Sequence, residues 1–145
     1  MISPSDNASG YLPAGEHPAE WAEFAERFGF NAYRRRMLGG LLAALRNLCD
    51  AGCRAAMIDG SFVTRRTRPG DYDGIWEPAH VDVGLVDPVL LKFDDRHKAM
   101  KAKYHGELFP ASFLAASGVR FREFFQFDRD GRPKGAVRIA LRSLP

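Results

Sequence analysis

The stretch Asp59-Gly60-Ser61-Phe62-Val63-Thr64, followed by Arg65-Arg66-Thr67-Arg68-Pro69-Gly70-Asp71-Tyr72-Asp73, constrains this 145-residue chain more than any other. Apolar residues up to Ile58 run into a Gly-Ser pair, a basic turn follows, and two carboxylates come spaced i, i+2. That order predicts a strand, a turn with a short helix, and a second strand. Gly60 permits a positive φ or the close approach of a bulky group. Ser61 can cap the helical turn, whose N–H groups suit a phosphate. Asp71 and Asp73 share one face of a strand, because side chains alternate with period two. Adjacent carboxylates repel each other unless a cation lies between them, and Mg²⁺ or Mn²⁺ takes oxygen ligands. A phosphate cradle beside metal-binding carboxylates is the equipment of phosphoryl or nucleotidyl transfer. The competing reading of Asp71 and Asp73 is a surface Pro-Gly-Asp turn leading into a strand. Arg65, Arg66 and Arg68 read either as bidentate phosphate donors or as a solvated loop.

Around this stretch the chain alternates helices and strands. Pro18 suits the first position of a helix whose stripe is Trp21, Phe24, Ala25 and Phe28, stopped by Gly29. Asn31 caps a longer helix to Asp50, with Gly52 as its stop and Tyr33, Met37, Leu41, Leu45 and Leu48 on its buried face. Arg34-Arg35-Arg36 oppose that helix's dipole, so they read as a solvated face or as phosphate or RNA contacts. Gly39-Gly40 points to close approach by another element. Arg54 to Ile58 and Asp71 to Glu77 read as strands, and Asp87-Pro88 opens a third helix to Leu108. Phe121 to Phe127 and Ala136 to Leu141 read as strands joined by a turn over Asp128 to Gly135. The expected fold class is therefore α+β (α/β mixed), a mixed sheet flanked by helices. Residues 16–145 form one domain behind a polar, flexible N-terminal arm, residues 1–15.

Charge is uneven. The net is +3, yet the first thirty-one residues hold five acids against one arginine, which leaves +7 for the rest. A basic body with an acidic leader is compatible with a nucleotide or nucleic-acid partner. Cys49 and Cys53, with no further ligand nearby, make no zinc site and pack as small hydrophobes. With no membrane-length apolar run and no signal-peptide pattern, the expectation is a cytoplasmic protein with no membrane partner.

Gly60-Ser61, nine residues, then Asp71-Tyr72-Asp73 resembles the signature of the polymerase-beta-type nucleotidyltransferase superfamily. A closer resemblance, to a group of small bacterial nucleotidyltransferase-like proteins, spans about Leu12 to Leu141. It is carried by Leu12-Pro13-Ala14-Gly15-Glu16-His17, Asp59 to Thr64, Phe124-Phe125-Gln126 and Gly131-Arg132-Pro133-Lys134-Gly135. The resemblance implies that Asp71 and Asp73 hold Mg²⁺ or Mn²⁺, and that Gly60, Ser61, Thr64, Arg65, Arg66 and Arg68 bind a nucleoside triphosphate. The acceptor would be an RNA or protein hydroxyl, in a toxin–antitoxin or defence setting. Active members carry a third carboxylate on a later strand, and no motif marks it here; Glu123 and Asp82 are the candidates. Asp59 either braces the turn or takes part in the chemistry. The alternative function is a module that keeps the fold without catalysis and binds nucleotide, RNA or a protein partner.

Overall fold

Short strands, largely buried, with helices packed against one face, organise this chain. The computed structural model describes residues 1–5, 9–112 and 134–145. In chain order the elements are β1 (Gly15–Ala19), α1 (Trp21–Phe28), α2 (Ala32–Asp50), β2 (Ala55–Asp59), β3 (Tyr72–Trp76), α3 (Lys98–Tyr104), β4 (Gly106–Pro110) and β5 (Gly135–Ala140). The strands form one five-stranded mixed sheet in the order β1-β5-β2-β3-β4. The central strand β2 is antiparallel to β3 and β5, while the β1–β5 and β3–β4 pairs are parallel. This is the α+β class expected from the sequence. No helix among the described residues is long and apolar enough to cross a membrane.

Alternation along the strands divides the sheet's two faces. Ala56, Ile58, Tyr72, Trp76, Leu108, Val137 and Ile139 belong to the main core with the apolar sides of α1 and α2. The other face carries Met57, Ile75, Phe109 and Ala136, packed with Phe93 and Ala111. Continued toward the C-terminal end of β2, the same alternation puts Asp59, Asp73 and Glu107 on this second face.

Helix α2 starts where its cap dictates, since Asn31 Oδ1 accepts from the Arg34 N–H at 2.8 Å. Gly40 is small for a reason: a Cβ there would lie 2.4 Å from the Tyr104 carbonyl oxygen of α3. The stripe Trp21, Phe24 and Phe28 faces the core rather than solvent. Its rings continue through Phe62 to Tyr72, tying α1 to the Gly60 turn and to β3. Cys49 and Cys53 are free thiols, and burial pushes the Cys53 thiol up to about 11.

Three expectations are corrected. Pro18 lies in β1 rather than opening a helix, because β1 pairs with β5 and its Pro18 is opposite Arg138 at the sheet's edge. The third helix is not continuous from Asp87 to Leu108. It is broken by left-handed backbone at Asp95 (φ 51°), Arg96 (φ 54°) and His97 (φ 60°), then ended by His105 (φ 67°), so that Leu108 lies in β4. Within the segment expected as a flexible arm, Ile2 and Leu12 are buried in the core. Glu123, the strand read at Phe121 to Phe127 and the turn from Asp128 to Pro133 lie outside the described residues.

Candidate functional site

The site begins with Gly60. Its φ of +77° turns the chain out of β2 into a short 3-10 turn, Gly60–Val63, and a Cβ there would lie 2.7 Å from Asp73 Oδ2. A side chain at this position would displace the carboxylate; glycine lets the turn pass directly over it. Ser61 does not cap the turn. It lies inside it, and its carbonyl accepts from the Thr64 hydroxyl at 2.6 Å.

The turn is held from beneath by Arg34, which is fully buried. Its guanidinium donates to the carbonyls of Phe28, Phe62, Arg66 and Thr64. It also stacks 4.4 Å over the Phe62 ring. Burial pulls it down to about 10, still well above neutrality, so the brace stays charged. Neither sequence reading of Arg34 anticipated this: it is not a solvated residue or a phosphate contact, but the strut that shapes the Gly60–Arg66 segment.

Next to the turn, Asp59 on β2 faces Asp73 on β3, and Asp73 faces Glu107 on β4. Three carboxylates on three neighbouring strands thus form a row, and Asp71 stands two residues before Asp73 on the same side. Asp59 is 1% exposed, and neither of its oxygens receives a hydrogen bond from a described residue. Lys134 Nζ lies 3.4 Å from its Oδ2, close enough for charge pairing but not for a well-formed hydrogen bond. Burial pushes Asp59 up to about 6 against the pull of Lys134. Burial, then Glu107, Asp59 and Asp71, push Asp73 up to about 7. At the other end of the row, Lys101 Nζ lies 2.8 Å from Glu107 Oε1 and 3.7 Å from Asp71 Oδ2. His97 Nδ1 is 3.4 Å from the same Glu107 oxygen.

A cleft of about 540 Å³ opens beside this row, lined by Gly60, Ser61, Thr64, Arg65, Arg66 and Lys134 together with Ser9, Gly10 and Tyr11. Five of the six expected substrate-binding residues therefore line one cleft. The sixth, Arg68, instead stacks over the Tyr33 ring at 4.7 Å. Asp82, one candidate for a third carboxylate, caps a turn by accepting from the Gly84 N–H and sits at the opposite end of β2, where its N–H donates to Ala51. Glu107, which the sequence reading did not name, stands on β4 as the third carboxylate of this row. A larger groove, of about 1240 Å³, also lies at the far end of β2, between Glu20, Glu23 and Glu26 and Arg54, Arg138 and Arg142. It is remote from the carboxylate row and contributes nothing to this site.

Can these residues hold a divalent cation? The donors are hard oxygens of the right kind, and the buried Asp59 oxygens lack compensating hydrogen bonds from described residues. Among the described residues no three potential ligands converge on a single point. Mg²⁺ does not require that, since it is typically bound by one or two carboxylates, with phosphate oxygens and water completing its shell. Asp71 and Asp73 fit that role, with Glu107 beside them.

A family of unknown function, DUF6932, matches residues 4–140. The chain belongs to this family. No curated protein and no solved structure matches it significantly.

Proposed function

We propose that this DUF6932 protein is a Mg²⁺-dependent nucleotidyltransferase that transfers a nucleoside monophosphate from a nucleoside triphosphate to an RNA or protein hydroxyl. The observation that carries the reading is the carboxylate row Asp59, Asp73 and Glu107, set directly against a cationic cleft at the Gly60-Ser61 turn. Asp71 and Asp73 would hold the ion. When bound, it would neutralise phosphate charge and favour attack at the α-phosphorus. Arg65, Arg66 and Lys134 supply positive charge to the cleft wall, and Arg34 fixes the backbone that carries the arginines. Glu107 would take the proton of the acceptor hydroxyl. The acceptor oxygen then bonds to the α-phosphorus as its bond to the bridging oxygen of the β-phosphate breaks, and pyrophosphate leaves.

One observation favours a second reading. Lys101 and Lys134 already pair with carboxylates of the row, so a module that binds nucleotide or RNA without metal chemistry would need no ion there. Titrating Mg-ATP, Mg-GTP, Mg-CTP and Mg-UTP into wild type and an Asp71→Asn, Asp73→Asn double variant separates the two. Nucleotide-dependent pyrophosphate release by wild type alone supports the enzyme. Equal nucleotide binding by both proteins, with no release in the presence of candidate acceptors, supports the binding module.

A further inference from the structure

We infer that Lys101 is an internal counter-cation for this site: its ammonium, anchored on Glu107, also reaches Asp71 in the free protein and competes with a divalent ion for that carboxylate. The inference rests on the metal site proposed above and goes beyond it by naming the residue that sets how tightly an ion is held before nucleotide arrives.

The geometry carries the argument. Asp71, Asp73 and Glu107 concentrate three carboxylates on adjoining strands, and Asp59, buried and without a hydrogen-bond partner among the described residues, lies next in the row. Such a cluster needs compensating positive charge. Lys101 spans the gap between β3 and β4 and reaches two of these carboxylates at once, at 2.8 Å and 3.7 Å. A residue serving helix α3 alone would have no reason to point across two strands.

The Asp71 contact is weak enough to be exchanged, while the shorter one to Glu107 anchors the ammonium. The Lys101 side chain is 36% exposed and that of Asp71 is 41% exposed, so water screens the pair. Lysine presents a compact charge on a flexible four-carbon stem and can swing without the backbone moving. The backbone is pinned, because the Tyr104 carbonyl of α3 sits against Gly40 of α2 with no room for a Cβ between them. Exchange therefore takes place at the side chain. Once displaced from Asp71, the ammonium remains beside the row, where it can meet an incoming phosphate oxygen.

Mn²⁺ affinity, measured by electron paramagnetic resonance without nucleotide, tests this on the full chain as wild type, Lys101→Gln, Lys101→Arg and Asp73→Asn. Lys101→Gln is expected to bind Mn²⁺ roughly two- to fivefold more tightly than wild type, the range a partly exposed ion pair supports. Lys101→Arg, which keeps the charge, is expected to stay close to wild type. If Lys101→Gln binds no more tightly than wild type while Asp73→Asn loses the ion, the metal site stands and the role given to Lys101 is wrong. If no protein binds Mn²⁺ alone but wild type binds it with nucleotide, the metal site stands and the role given to Lys101 is wrong; if wild type binds none even with nucleotide, the site and the inference fall together.

Discussion

Asp59 and Asp73 stand opposite each other across the β2–β3 ladder, one fully buried and the other partly so, with Lys134 3.4 Å from Asp59. Like charges directly opposite on a sheet are destabilising. The sheet therefore keeps this pair against its own stability unless a proton or a cation is shared there. That relationship sets the first prediction.

Asp73 is pushed up to about 7, chiefly by burial, from an ordinary value of 3.8. An acid whose folded value lies above its unfolded value binds protons more tightly in the native state, so its contribution to stability is complete below the unfolded value and is lost as pH rises through the folded one. Stability should therefore fall between about pH 4 and 7 on account of this group. Asp73→Asn should remove that slope and, at pH 8, stabilise the protein by up to about 4 kcal/mol relative to wild type, the free-energy equivalent of the shift. Urea unfolding of both proteins at pH 4.5 and pH 8 checks this; a variant less stable than wild type at pH 8 contradicts it.

Gly60→Ala places a Cβ 2.7 Å from Asp73 Oδ2 and asks an L-residue to hold a φ of +77°. The backbone part alone costs about 1–2 kcal/mol. The expected outcome is a lower urea midpoint together with weakened Mg-nucleotide binding, because the carboxylate must move to make room. Calorimetric titration beside the unfolding curve separates the two effects.

Arg34→Met should be among the most damaging single changes. It removes the donors to the Phe28, Phe62, Thr64 and Arg66 carbonyls, and each buried acceptor left without a partner costs about 1–3 kcal/mol. Arg34→Lys keeps the charge, yet one ammonium has no fork with which to serve carbonyls that lie apart. Both variants should lose stability, Arg34→Met more, and the surviving Arg34→Lys protein should bind nucleotide less well because the Gly60–Arg66 segment is no longer fixed.

The parts of this fold legible in the sequence are those with a local signal. Asn31 announced α2, Gly40 announced a close neighbour, and the Gly-Ser turn with its flanking strands followed from apolar runs and alternation. The carboxylate pair Asp71 and Asp73 came from the same alternation. Glu107 was missed because Leu90, Phe93, His97, Met100, Tyr104 and Leu108 keep a helical spacing through a region that is not one helix. Its breaks fall at Asp95, Arg96, His97 and His105, none of them the glycine or proline that normally marks a break. Gly106 before Leu108-Phe109-Pro110 was the one available cue, and the Tyr72 ring packed against Gly106 explains that glycine. Arg34 was misread for a different reason: its burial depends on carbonyls from segments distant in sequence, and no helical pattern reports those.

Glu107→Gln isolates the third member of the row. The substitution keeps the size and the hydrogen-bonding capacity toward Lys101, so the fold should persist with a change in stability within about 1 kcal/mol, as for a partly exposed ion pair. If Glu107 takes the acceptor's proton, nucleotide affinity should remain close to wild type while pyrophosphate release falls roughly 100-fold or more, the range general-base removal produces. If Glu107 serves only to hold Lys101, release should be barely affected and Mn²⁺ affinity should drop instead, because the freed ammonium shifts toward Asp71 and Asp73. Measuring release and Mn²⁺ affinity on the same preparation tells these outcomes apart, and a variant with both unchanged would remove Glu107 from the site altogether.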